Sequence, residues 1–200
     1  MEIKPSRRGL HVLMSLPNIL TFIRILAVPV LVICFFFDTL AARRVALIVF
    51  IAAGITDFFD GYLARLWSQQ SALGRMLDPI ADKLLVVVCL FMLTAIGTIG
   101  GIHLCAAVII LSREILVSGL REFLAELRNV VPVSTVAKWK TAIQLTAIGL
   151  LVARPASDTL LVWTSNAGLV GLWCAAILTL YTGYDYLKAG VDHITKKDEE

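Results

Sequence analysis

Asp57, Asp60, Asp78 and Asp82 fall close together in the chain. They lie in the run Asp57-Phe58-Phe59-Asp60-Gly61-Tyr62-Leu63-Ala64-Arg65 and, eight residues on, in Gly74-Arg75-Met76-Leu77-Asp78-Pro79-Ile80-Ala81-Asp82. On a helix turning 100° per residue, Asp60 stands about 60° from Asp57, Gly61 about 40° and Ala64 about 20°. Two carboxylates and two minimal side chains therefore share one face. Asp78 and Asp82, at i and i+4, share a face of the next helix. Carboxylates converge in a low dielectric only with positive charge among them; otherwise they protonate. Clustered, all-oxygen ligands select a hard divalent ion such as Mg²⁺ or Mn²⁺, and such ions usually act on phosphate. Gly61 and Ala64 would leave room for a bulky phosphorylated ligand against the backbone.

Other residue types that carry chemistry form no comparable pattern. Cys34, Cys89, Cys105 and Cys174 are scattered through apolar runs without a C-x-x-C pair and read as buried small hydrophobes. His11, His103 and His193 are far apart and have no zinc spacing. No Ser/His/Asp or Cys/His arrangement offers a covalent route.

The elements that must hold the aspartates follow from composition. The 200 residues are 58% hydrophobic and 16% charged, with a mean hydropathy of +0.85. A soluble domain carries roughly 25% charged residues, so too few polar side chains remain here to cover a water-soluble core. A nucleic-acid-binding domain, a soluble α/β enzyme and a disordered tail are thereby excluded. The composition predicts an all-α integral membrane protein, of a size that suits one domain.

A spanning helix needs roughly 20 apolar residues, and six stretches qualify: 18–37, 43–65, 79–98, 102–122, 135–153 and 160–186. Gly97-Thr98-Ile99-Gly100-Gly101 reads as a tight turn, and Arg154-Pro155 opens a polar one. Residues 66–78 and 123–134 read as longer polar connections, the second ending in a Ser134/Thr135 cap. Residues 1–16 read as an amphipathic juxtamembrane helix on the anionic inner surface, 17–187 as the six-helix domain and 188–200 as a frayed polar cytoplasmic tail. Lys4, Arg7 and Arg8 ahead of an apolar stretch suggest a signal peptide, but the stretch is too long and no small-residue cleavage site follows, so it reads as retained.

With the amino terminus inside, thirteen basic residues fall on the inner side and only Arg43, Arg44 and Arg154 on the outer side. The positive-inside rule therefore places both termini in the cytoplasm. Arg24, Asp57, Asp60, Asp82, Lys83, Arg113, Glu114, Lys138 and Lys140 then map to the cytoplasmic half, enclosing a polar cavity open to that side, whereas 45–56 carries no charge. Charges inside spans mark function by default. Snorkelling to the interface accounts for Lys83 or Lys140 but not for four short aspartates. Trp67, Trp139 and Trp163 read as interfacial anchors, Trp173 as packing, and Gly54, Gly168, Gly171 and Gly183 as close helix contacts.

The spacing D-x2-D-G-x2-A-R-x8-G-x3-D-x3-D resembles the signature of the CDP-alcohol phosphotransferase family, membrane enzymes of phospholipid synthesis, with all eight fixed positions present. The resemblance implies six transmembrane helices, a homodimer and a site facing the cytoplasm of a bacterial inner membrane. It implies that Asp57, Asp60, Asp78 and Asp82 bind two divalent ions, Mg²⁺ or Mn²⁺. Asp82 would double as general base, and Gly61, Ala64, Arg65 and Gly74 would line the CDP site. Asn18-Ile19-Leu20-Thr21-Phe22-Ile23-Arg24 is similar to the family's N-x2-T-x2-R, expected near the nucleotide.

Ser112–Phe123 and Val136–Thr141 resemble the bacterial branch that transfers the phosphatidyl group of CDP-diacylglycerol to sn-glycerol 3-phosphate and releases CMP, by direct displacement. The acceptor is a small dianion, and Arg113, Arg121 and Lys138 are cations suited to its phosphate. Each could instead pair with Glu114, Glu122 or Asp185. Inositol phosphate, serine or a second phosphatidylglycerol are rival acceptors. A membrane prenyltransferase would leave Gly61, Ala64 and Arg65 without a role, and a cation transporter would need polar access through the charge-free outer half.

Overall fold

A computed structural model describes residues 16–67, 72–126, 135–153 and 162–198. All regular structure among them is helical: α1 Leu16–Phe35, α2 Leu40–Trp67, α3 Ala72–Ala95, α4 His103–Glu126, α5 Thr135–Ala153 and α6 Val162–Asp198. The amphipathic segment expected at 1–16 lies, apart from Leu16, outside the described residues.

Asn18–Phe35, His103–Leu120 and Trp163–Lys188 are long and apolar enough to cross a membrane, and Trp139–Ala153 is a shorter apolar stretch. Two boundaries differ from expectation. The polar connection expected over 66–78 is largely helix, since α2 runs to Trp67 and α3 begins at Ala72. Pro79 sits inside α3, where neighbouring helices and local donors can answer the carbonyl that an intrahelical proline frees. The tail expected to fray from residue 188 is helical backbone to Asp198, with no proline to stop it.

The chain forms two compact units: α1, α2 and α3 as far as Met92, and the end of α3 with α4, most of α5 and α6. In the first, the face that α1 buries is Asn18, Thr21, Arg24, Val28, Leu31, Cys34 and Phe35, a 3-4 spacing that is polar at its start and apolar beyond Arg24. Thr39 caps α2, its Oγ1 accepting the Ala42 amide at 3.2 Å. Arg43, expected among the outer charges, is only 1% exposed. Its guanidinium lies 4.6 Å from the centre of the Phe35 ring, with Nη2 3.8 Å from Asp38 Oδ1. The aromatic face substitutes for water around that cation.

In the second unit, the expected turn after α3 is present, with Gly97 and Gly101 at φ of 75° and 55°, a region glycine enters without steric cost. The Gly97 and Ile99 amides donate back to Thr94 and Leu93 at 3.0 and 3.1 Å. Trp173 Nε1 donates to His103 Nδ1 at 3.0 Å, so the tryptophan expected only to pack also ties α6 to the start of α4. Trp139 and Trp163 are exposed, as anchors should be. Cys34 and Cys89 are buried thiols, whereas Cys105 and Cys174 are exposed, contrary to the expectation that all four would be core residues.

Gly168 and Gly171 are close contacts, as expected. A Cβ on Gly168 would stand 2.7 Å from Leu151 Cγ and 3.1 Å from the Ala147 carbonyl oxygen, and one on Gly171 3.0 Å from Ala147 Cβ. Gly54, read the same way, has nothing within 4 Å among the described residues. Gly168→Ala should therefore destabilise by about 1–3 kcal/mol through overpacking. Gly54→Ala should be neutral or stabilise by up to about 1 kcal/mol through helix propensity. Thermal unfolding of the two purified variants in one detergent checks the contrast.

Candidate active site

Two parallel helices build the polar cluster of the first unit. Thr21 Oγ1 donates to Asp78 Oδ1 at 2.6 Å, and Arg24 Nη1 donates to Asp82 Oδ1, also at 2.6 Å. The partners are 57 and 58 positions apart, so α1 and α3 run in the same direction with matched register. The two motifs that looked independent in the sequence, N-x2-T-x2-R and D-x3-D, are thus one assembly.

The donors are deeply buried, Thr21 at 0% and Arg24 at 1% exposure, with Asn18 at 2% one turn earlier. The carboxylates are more open: Asp82's side chain is 44% exposed and Asp78 is half-buried. A rigid, buried set of donors therefore aims two accessible carboxylates. The positive charge that convergent aspartates require is supplied at Asp82 by Arg24, a partnership not foreseen when Arg24 was read as a nucleotide contact. Gly74 is buried one turn before Asp78. Lys83 keeps its ammonium on the same helix, donating to the Pro79 carbonyl oxygen at 3.1 Å.

Asp57, Asp60, Gly61, Ala64 and Arg65 fall on the continuous helical backbone of α2, in agreement with the face predicted for them; their side chains lie outside the described residues. Among the described residues no three metal-ligating side chains come together, and half of the expected ligand set lies outside them. The described half has the chemistry a hard divalent ion takes, two oxygen-only donors one turn apart on α3.

The second unit holds the acceptor candidates. Arg113 Nη2 donates to Thr182 Oγ1 at 3.0 Å, and its Nη1 stands 3.8 Å from Glu114 Oε2. Lys140 Nζ donates to Glu114 Oε1. The pairing expected as an alternative for Arg113, with Glu114, is thus present alongside the Thr182 contact. Lys140, for which snorkelling was an acceptable account, is instead 3% exposed. The reason is its place on the buried stripe of α5, Lys140, Gln144, Ala147, Ile148 and Leu151, which a periodicity count could have revealed. Arg121 and Lys138 lie on helical backbone of α4 and α5; their side chains are outside the described residues.

A family model described as CDP-alcohol phosphatidyltransferase matches residues 14–181. The chain belongs to this family. The match takes in both compact units and every site residue named above except Thr182. Three relatives bear the name CDP-diacylglycerol–glycerol-3-phosphate 3-phosphatidyltransferase. That of Rickettsia bellii is 46% identical over 175 residues, 88% of this chain and 94% of its own. That of Cereibacter sphaeroides is 38% identical over 220 aligned positions, 93% and 99% of the two chains. The Salmonella choleraesuis relative is 40% identical over 177, 88% and 94%. Family membership agrees with the resemblance carried by the aspartate spacing.

The α1–α3 pairing generates a test within this CDP-alcohol phosphatidyltransferase fold. Thr21→Val keeps the buried shape but removes the donor to Asp78, and should cost about 1 kcal/mol. Thr21→Ser, which retains the hydroxyl, should lose less. Thermal unfolding of the two variants against the unsubstituted protein measures the difference.

Proposed function

We propose that this chain transfers the phosphatidyl group of CDP-diacylglycerol to sn-glycerol 3-phosphate, forming phosphatidylglycerophosphate and CMP. The observation that carries the reading is the seating of Thr21 and Arg24 on Asp78 and Asp82. It unites the family's two motifs at one end of two parallel helices, and the relatives at 38–46% identity are named for this reaction.

In this reading six helices span a bacterial inner membrane, both termini are cytoplasmic, the site opens to the cytoplasm, and the enzyme is a homodimer among membrane lipids. The parallel run of α1 and α3 supports it, since an intervening α2 that crosses back returns both motif-bearing ends to one side. Asp57, Asp60, Asp78 and Asp82 would hold two divalent ions, Mg²⁺ or Mn²⁺. When bound, these neutralise the diphosphate and the departing CMP. Asn18, Thr21, Arg24, Gly61, Ala64, Arg65 and Gly74 bind the CDP moiety, with the small residues admitting it against the backbone. Arg113, Arg121 and Lys138 hold the acceptor's phosphate.

Catalysis is direct displacement. The Asp82 carboxylate takes the proton from the acceptor hydroxyl, whose oxygen attacks the phosphorus bearing the diacylglycerol as the bond to CMP breaks. Arg24 fixes the Asp82 carboxylate for that proton transfer.

The reading is tested by CMP release from purified, detergent-solubilised protein given CDP-diacylglycerol and Mg²⁺, with sn-glycerol 3-phosphate, inositol phosphate and serine offered in parallel. Release with sn-glycerol 3-phosphate alone is expected; release only with another acceptor would overturn the acceptor assignment. Asp82→Asn should lower kcat by about 10²–10⁴-fold, the scale of general-base catalysis, and retention of more than a few per cent of the rate would remove Asp82 as the base. Lys138→Ala should raise KM for sn-glycerol 3-phosphate far more than for CDP-diacylglycerol; an equal rise in both would move it out of the acceptor site.

A further inference from the structure

Arg113 is held by more of the second unit than its neighbour in sequence. The pairs His103–Trp173 and Arg113–Thr182 are 70 and 69 positions apart, so α4 and α6 run parallel in constant register. At that register Arg113 meets both Thr182 and Gly183. Thr182 Oγ1 accepts from Nη2 at 3.0 Å while itself donating to the Leu178 carbonyl at 2.9 Å, which orients its acceptor lone pair toward the guanidinium. A Cβ on Gly183 would stand 3.1 Å from Arg113 Cγ and 3.7 Å from Nε, so the missing side chain is the groove in which the arginine stem lies.

The third wall is Glu114, and here Lys140 matters. Its ammonium, buried on α5, draws in Glu114 Oε1, while Oε2 stays 3.8 Å from Arg113 Nη1, beyond hydrogen-bond distance. With Glu114 Oε2 already 3.8 Å from the guanidinium, a carboxylate not held elsewhere would close that gap to a charge-assisted hydrogen bond. Arg113 lies ten residues into α4, about 15 Å along its axis, roughly half the hydrocarbon thickness, where such a closed pair would be little weakened by water.

We infer that Lys140 is a positioning residue for the acceptor site: by occupying Glu114 it keeps that carboxylate from closing on Arg113, whose guanidinium Thr182 and Gly183 hold oriented for the phosphate of a phosphorylated acceptor. The inference rests on the assignment of Arg113 to the acceptor under the proposed function and adds Lys140, Glu114, Thr182 and Gly183, to which no role was given there. Glu114 is a competitor for the arginine that Lys140 restrains.

The test is a pair of variants with a rescue. Lys140→Met removes the charge and keeps the stem; Glu114 then closes on Arg113, and KM for sn-glycerol 3-phosphate should rise about tenfold or more, with KM for CDP-diacylglycerol changed less than about twofold. Adding Glu114→Gln removes the competitor and should bring KM for sn-glycerol 3-phosphate back to within about threefold of the unsubstituted enzyme. A merely structural ion pair would show no such recovery. A double variant with KM as high as Lys140→Met, or a Lys140→Met effect equal for both substrates, would overturn the inference while leaving the transferase reading intact. Should Lys140→Met fail to fold, Thr182→Val provides the same split, raising KM for sn-glycerol 3-phosphate alone; an equal effect on both substrates overturns it. Absence of acceptor-dependent CMP release from the unsubstituted enzyme would overturn both.

Discussion

A charged side chain set among apolar helices holds its place where another helix answers it. In the first unit α1 answers α3: Thr21 and Arg24 come to Asp78 and Asp82. In the second, α6 answers Arg113 through Thr182, and α5 answers Glu114 through Lys140. These polar contacts also do what apolar packing does poorly in lipid, where a leucine gains little by facing a helix instead of an acyl chain. They fix register. The near-constant offsets of 57 and 58 between α1 and α3, and of 69 and 70 between α4 and α6, are the mark of helices locked along their length.

Small residues complete the arrangement. Gly168 and Gly171 bring α6 against Ala147 and Leu151 of α5, and Gly183 accepts the Arg113 stem. The close approach of backbones and the seating of an arginine thus use small residues of one helix, about three turns apart. Along α1 the buried face changes character within one turn, from Arg24 to Val28, so polar chemistry is confined to one end of the helix and the rest is free to pack.

Much of this was legible in the sequence. The six helices follow from apolar stretches and turn residues, and the four aspartates stand out because their spacing repeats a helical face. What was hidden is which helix neighbours which. Nothing local in the sequence ties Arg24 to a residue 58 positions away, so its contact with Asp82 is visible only in the fold. Lys138 and Lys140 look alike as two lysines at a helix start; only the stripe that continues from Lys140 through Gln144, Ala147, Ile148 and Leu151 marks it as the inward one. The start of α3 differs because a count of apolar residues begins at 79, whereas the helix opens with the more polar stretch from Ala72. Arg43 passed for an ordinary outer charge because cation–π burial against Phe35 leaves no signature in composition.

That buried Arg43 also bears on how the protein is built. An arginine entering lipid alone is opposed by a cost of up to about 2.5–3.5 kcal/mol at mid-bilayer, less near the edge. Lodged against Phe35 and near Asp38, it escapes most of that cost, provided that α1 is already beside it. The burial of Arg43 therefore depends on α1 and α2 lying side by side, with the capped turn at Thr39 between them.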